Sequence, residues 1–87
     1  MKLLAFAVYD TKAEAWSPPL FMRAIGEALR NFEDNCKDTS TPLGQHPGDF
    51  NLYLIGSYDQ SSGNLTGHDP ISHGNGLEYV RSLNPVD

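Results

Sequence analysis

SPPLFMRAIGEALRNFEDN, residues 17–35, is the stretch on which the fold turns. Phe21, Ile25, Ala28 and Phe32 recur at i, i+4, i+7 and i+11, flanked by Ala24 and Leu29. That is one apolar stripe at the helical period. Arg23, Glu27, Arg30, Asn31 and Asp34 take the opposite, wet side. Ser17 is expected to be the N-cap, its hydroxyl accepting from an orphan N–H of the first turn. Pro18 and Pro19 suit that first turn, where a missing donor costs nothing. Arg23–Glu27 and Arg30–Asp34 are spaced as i,i+4 ion pairs worth about 0.3 kcal/mol each. Gly26 costs ~1 kcal/mol against Ala inside a helix, a cost that close packing at that point would explain. Turn chemistry from Cys36 to Pro42 ends the helix after Asn35.

Strands flank this helix. In residues 2–9, Leu4, Phe6 and Val8 point to one face and Leu3, Ala5, Ala7 and Tyr9 to the other. A strand apolar on both faces is expected in the middle of a sheet, covered twice. The apolar run of MKLLAFAV is too short for the core of a secretory leader, so it reads as a strand. Asp10-Thr11-Lys12 is a turn, and residues 13–16 a short return that ends at Trp16, in a core or lid role beside the helix start. Residues 37–49 form a polar loop. Phe50, Leu52, Leu54, Gly56 and Tyr58 alternate with Asn51, Tyr53, Ile55 and Ser57 in a second long strand. Asp59-Gln60-Ser61-Ser62-Gly63 reads as a hairpin loop, Gly63 supplying the positive φ. Residues 64–68 return, and Asp69-Pro70 is expected to break that strand. Leu77, Val80 and Leu83 suggest a short helix whose start is loosened by Gly74 and Gly76, ahead of a frayed tail at 84–87.

The expected architecture is α+β: a small, four-stranded, mostly antiparallel sheet with one amphipathic helix on one face. Residues 1–87 make one domain, with a core at 2–69 and a weakly structured segment at 70–87. A chain of this length buries roughly 60–65% of its unfolded surface, so the margin is thin. One helix covers one face, yet Leu3, Ala5, Ala7, Tyr9, Tyr53 and Ile55 lie on the other. Either residues 70–83 cross that face or a second copy does. Self-association through those six residues, most simply as a dimer, is the expectation.

The net charge is −5. Four basic residues face five acidic ones in residues 1–35, and two face six in residues 36–87. Such a surface repels phosphate backbones and raises no on-rate toward DNA. No segment approaches the ~20 apolar residues of a membrane span. Cys36 is the one cysteine, so no intrachain disulfide forms. Cys36, His46, His68 and His73 have the spacing C-x9-H-x21-H-x4-H, which matches no compact zinc pattern. No nucleophile–base pair is set by secondary structure, and a thiol at a helix C-terminus has a raised pKa. Gly74-Asn75-Gly76 lacks the Gly, Lys and Ser/Thr of a phosphate loop. These features lead to no expected metal, cofactor or enzymatic activity. For nucleic acid the candidates are Tyr53, Tyr58 and Tyr79 as stacking platforms and Lys2, Lys12, Lys37 and Arg81 as phosphate contacts. Core or interface packing is the plainer role for the tyrosines.

Several pieces occur in a familiar order: VYDTKA at 8–13, PLF at 19–21, ALRNF at 28–32, HPGDF at 46–50, LIGSYD at 54–59 and GNL at 63–65. Together they resemble the small nonstructural protein of gokushovirus-type microviruses, phages with single-stranded DNA genomes. The resemblance covers residues 8 to about 66. It implies a phage-encoded, non-capsid protein of the host bacterial cytoplasm, assigned to DNA binding or to genome replication and packaging, without a known active site. Two roles follow. One is an accessory factor in single-stranded-DNA production with weak or indirect DNA contact. The other is a module that docks on a viral or host protein through its sheet face or an edge strand.

Overall fold

The computed structural model describes residues 1–81, the side chain of Arg81 excepted. Strand β1, Lys2–Asp10, is the axis of an antiparallel sheet. On one side it pairs along its whole length with β4, Phe50–Asp59, from Lys2↔Asp59 to Asp10↔Phe50. β4 pairs in turn with β5, Leu65–Asn75. On its other side β1 meets β2, Ala15–Trp16, and β3, Leu20–Met22. The architecture is α+β as expected, with β3 as an unforeseen fifth strand. The Asp59–Gly63 turn closes as read: the Gly63 amide donates to the Asp59 carbonyl at 2.7 Å, and φ at Gly63 is +79°.

β2 and β3 form one edge strand interrupted at Pro18-Pro19, and this corrects the expected helix start. Ser17 caps no helix. Its amide donates to the Val8 carbonyl at 2.8 Å, and its hydroxyl accepts from the Val8 amide at 2.9 Å. The hydroxyl thus stands in for a strand carbonyl where the two prolines, without N–H groups, would break the ladder. Residues 20–22 pair with Leu4–Phe6, so Phe21 lies in the sheet and not on the helix stripe.

The helix α1 runs from Ile25 to Lys37 with Ala24 at its N-cap and no capping side chain. Glu27 reaches back to accept from the Arg23 amide at 3.1 Å, which satisfies one donor ahead of the helix. Gly26 has open space where a Cβ would stand, so close packing does not account for it. The buried stripe is Ala28, Phe32 and Cys36, one turn further along than the sequence stripe; Ile25 is exposed. The helix ends two residues later than expected, at Lys37. The following loop holds a short helix α2, Pro42–Gln45, whose cap Thr41 accepts from the Gly44 amide, and a 3-10 turn at Pro47–Asp49.

Asp69-Pro70 does not end β5. Between Gly56↔Gly67 and Leu54↔Ile71, three residues of β5 face the single Ile55, so the proline sits in a bulge. On an edge strand that position needs no donor. β5 continues to Asn75, and α3, Gly76–Arg81, follows. Residues 70–81 are therefore ordered strand and helix. α3 packs beside α1, Tyr79 meeting Phe32 edge-on at 5.1 Å, and so lies on the helix side of the sheet. The expected tail at 84–87, and Leu83, fall outside the described residues.

Ile55 is also the extra residue against β1, between Ala5↔Gly56 and Phe6↔Leu54. One inserted residue inverts the alternation beyond it. Tyr58, expected beside Phe50 and Leu52, consequently lies opposite Leu3 on the other face, where its ring meets Phe21 at 5.8 Å.

The core is Phe6, Ala28, Phe32, Cys36 and Leu52, with Leu4, Val8, Met22, Leu54 and Val80 packed around it. A domain of this size has a stability of roughly 4–13 kcal/mol. Phe32→Ala is expected to remove about 3–5 kcal/mol by leaving a cavity; urea unfolding measures it. Ser17→Ala leaves water to replace the hydroxyl in this exposed hydrogen bond from the Val8 amide and costs about 0.5–1.5 kcal/mol. Faster hydrogen exchange at Val8, with little change in α1, distinguishes this edge role from a helix cap.

Candidate functional site

The far face of the sheet, away from α1, is built by the odd positions of β1 and their partners. Leu3 lies opposite Tyr58, Ala5 opposite Gly56, Ala7 opposite Tyr53 and Tyr9 opposite Asn51. The edge strand adds Trp16 beside Tyr9 and Phe21 beside Ala5. Trp16 stands 4.9 Å from the Tyr9 ring and 5.0 Å from the Tyr53 ring, centroid to centroid. Phe21 and Tyr58 form a second ring pair. Ala5 and Ala7 between them are buried, whereas Trp16 and Phe21 remain 46% and 41% exposed. Residues Leu3, Ala5, Ala7, Tyr9, Tyr53 and Ile55, singled out from the sequence, thus come together on one surface. Trp16, Phe21, Tyr58 and Leu65 join them and were missed. For Phe21 the signal was alternation at 20–22, hidden because the same residues fit a helical stripe; Trp16, Tyr58 and Leu65 gave no comparable signal.

The basic residues are dispersed. Lys2 opens β1 opposite Asp59, while Lys12 lies in the turn beyond its other end, where the Asp10 carboxylate accepts from the Lys12 amide at 2.9 Å. The nine residues of β1 separate them by roughly 26 Å, well beyond a ~10 Å screening length. Lys37 closes α1 on the opposite side of the sheet. Arg81 ends α3. Tyr79 is not a sheet-borne platform; it lies in α3, packs on Phe32 and donates its hydroxyl hydrogen to the His73 carbonyl.

On the helix side, a cleft of about 450 Å³ opens between α1, α2 and the edge strand, lined by Val8, Pro18, Leu20, Phe32, Leu43 and Phe50 among others. Its volume lies in the range of small-molecule sites. No titratable side chain lines it. Its polar groups are already engaged: Asn35 donates to the Asn31 carbonyl at 2.9 Å, and Ser17 serves Val8. Apolar contact is the chemistry this lining offers.

Cys36 lies inside the last turn of α1 and is buried. Burial, and secondarily the Glu33 carboxylate, push its thiol up to about 11. The direction matches the sequence reading, but the main cause is desolvation and not a helix end. His46 lies in the turn before the 3-10 segment, the His68 ring meets the Asp69 carbonyl at 2.8 Å, and His73 packs against Phe6 at 6.1 Å. These four residues do not converge. Among the described residues no helix is long and apolar enough to cross a membrane.

The fold and surface define a small antiparallel α+β domain with an uncharged aromatic sheet face. Residues 3–79 match the family model described as Phage ORF5 protein, and the chain belongs to that family. It is a phage protein. Comparisons with curated proteins and with solved structures gave no match.

One buried and one half-buried group make stability fall at high pH. Cys36 and Tyr79 both have raised pKa values in the folded state, chiefly through desolvation. The folded chain therefore holds protons that the unfolded chain releases, and stability declines once pH exceeds the ordinary thiol value near 9.0. Urea midpoints are expected to be level from neutrality to that point and to drop above it. Cys36→Ala should flatten part of the drop. Iodoacetamide at pH 8 should label Cys36 slowly, in proportion to the population of the opened state.

Proposed function

We propose that this phage protein is a nonstructural accessory factor, of the gokushovirus type, that assists single-stranded-DNA genome replication or packaging in the host cytoplasm. Its contact with DNA is weak or indirect. The motifs of residues 8–66 and the family over residues 3–79 support the phage role. The observation that carries the mode of action is the dispersal of Lys2, Lys12 and Lys37, which leaves no continuous cationic track beside the aromatic face. Non-specific affinity for nucleic acid comes mainly from neutralised phosphates and released counterions. A chain of net charge −5 with separated cations supplies little of that.

The alternative is a module that docks on a viral or host protein through the sheet face or its edge. The uncharged, partly exposed rings of Trp16 and Phe21 favour protein contact over phosphate contact. Both readings place the work on protein surfaces and give DNA a minor part.

Trp16 is the single tryptophan and lies on the face in question, so its fluorescence reports binding directly. Titration with a single-stranded oligonucleotide at low and moderate salt is expected to give weak binding or none. Any affinity should follow a log K against log salt slope no steeper than about −1, the value for one or two phosphate contacts. Tight binding with a slope near −4 or steeper would overturn the reading in favour of direct DNA recognition.

A further inference from the structure

The far face carries a half-exposed indole rooted on the edge strand β2 and a pit floored by β1 and β4. We propose that this face binds a second copy of the chain, with Trp16 of each copy seated in the pit of the other. The projection is the indole, which leans from the edge across β1 to reach Tyr53 on β4. The pit is a depression of about 260 Å³ lined by Ala5, Pro19, Phe21, Ile55, Gly56 and Leu65, among others. Its floor is the Ala5↔Gly56 pair. Glycine is required there: a Cβ on Gly56 would stand 2.3 Å from the Thr66 carbonyl oxygen. Both features therefore sit over β1 and β4. Two to four residues of β1 separate them, about 7–13 Å.

That placement is self-complementary. A two-fold axis lying in the interface, across the strands between Ala5 and Tyr9, exchanges projection and pit. Each indole then meets the other copy's pit, which is the condition for a closed, isologous dimer. An aromatic anchor filling an apolar pocket near the centre of a patch is also the usual form of a binding hot spot.

Charge permits the approach. Leu3, Ala5, Ala7, Tyr9, Trp16, Phe21, Asn51, Tyr53, Ile55, Gly56, Tyr58 and Leu65 include no Asp, Glu, Lys or Arg. Two like-charged copies can join here without burying an ion, which would cost several kcal/mol unless paired. The same neutrality gives the pit nothing with which to hold a phosphate. The area sets the strength. A face of nine residues by four strands measures roughly 30 by 18 Å, on the order of 500 Å² per copy. A pair buries about 1,000 Å², the low end of specific interfaces. An interface of that size is weak and concentration-dependent.

The test is sedimentation velocity of the whole chain from about 1 μM to about 1 mM, with Trp16 fluorescence read in parallel. A shift from one to two chain masses, with a blue-shifted indole at high concentration, is expected. Trp16→Ser removes the projection, and Leu65→Glu places a carboxylate at the pit rim; each should weaken self-association at least tenfold. Leu65→Glu leaves its own Trp16 in place, so loss of the blue shift there reports the partner's pit and not local structure. Circular dichroism and urea unfolding confirm that both variants fold. Mixing the two restores one complete indole–pit contact per pair, so the mixture should associate more tightly than either variant alone. A single-mass species at the highest concentration overturns the proposal. So does a dimer that both variants leave unchanged, or oligonucleotide binding that quenches Trp16 without any self-association.

Discussion

The sheet of this protein is apolar on both faces, and the chain supplies a covering layer for one of them. Phe6 and Leu52 from the two central strands meet Ala28, Phe32 and Cys36 from α1, and this cluster is nearly the whole buried interior. α3 extends the same layer, its Tyr79 ring braced on Phe32. Among the described residues, nothing of the chain lies over the opposite face except its own aromatic side chains. Trp16, Tyr53, Phe21 and Tyr58 shelter Ala5 and Ala7 by leaning over them, while their own outer surfaces stay partly wet. Hydrophobic burial is proportional to the apolar area removed from water, so this half-covered face is where the molecule has most to gain from contact.

Both sheet edges are irregular, and the irregularities have a common character. The β2–β3 edge is interrupted by Pro18-Pro19, bridged by the Ser17 hydroxyl. The β5 edge is bulged through His68-Asp69-Pro70. Prolines and bulges at edges limit strand-to-strand addition. The central bulge at Ile55 does something different: it turns Tyr58 onto the far face and brings Gly56 opposite Ala5. Tyr58 and the Gly56 floor of the pit join that face because of this one inserted residue, whereas Tyr9, Trp16 and Tyr53 stand on it independently of the bulge.

The amphipathic helix, the long strand pairs and the glycine hairpin were legible because each is a local pattern. A stripe at 3.6 residues, alternation at two and a positive-φ glycine all declare themselves within a short window. Misreadings arose where one pattern fitted two structures. Leu20–Met22 continues the helical stripe and also alternates, and only pairing with β1 decides between them. Asp69-Pro70 is a breaker in a paired strand and harmless in an edge bulge. The candidate face was half legible: Leu3, Ala5, Ala7, Tyr9, Tyr53 and Ile55 were visible as an uncovered set. Phe21 was not, because its alternation also fitted a helix, and Trp16 and Tyr58 were not, because their places depend on a strand interruption and a bulge that leave no periodic trace.

From its amino acids alone this chain is bound to be a small α+β domain with more apolar sheet surface than one helix can cover, because composition and periodicity are properties of short stretches. Which residues occupy the uncovered surface was decided by the tertiary structure. Register and bulges are settled between strands distant in the chain, where a one-residue slip moves every later side chain to the other side.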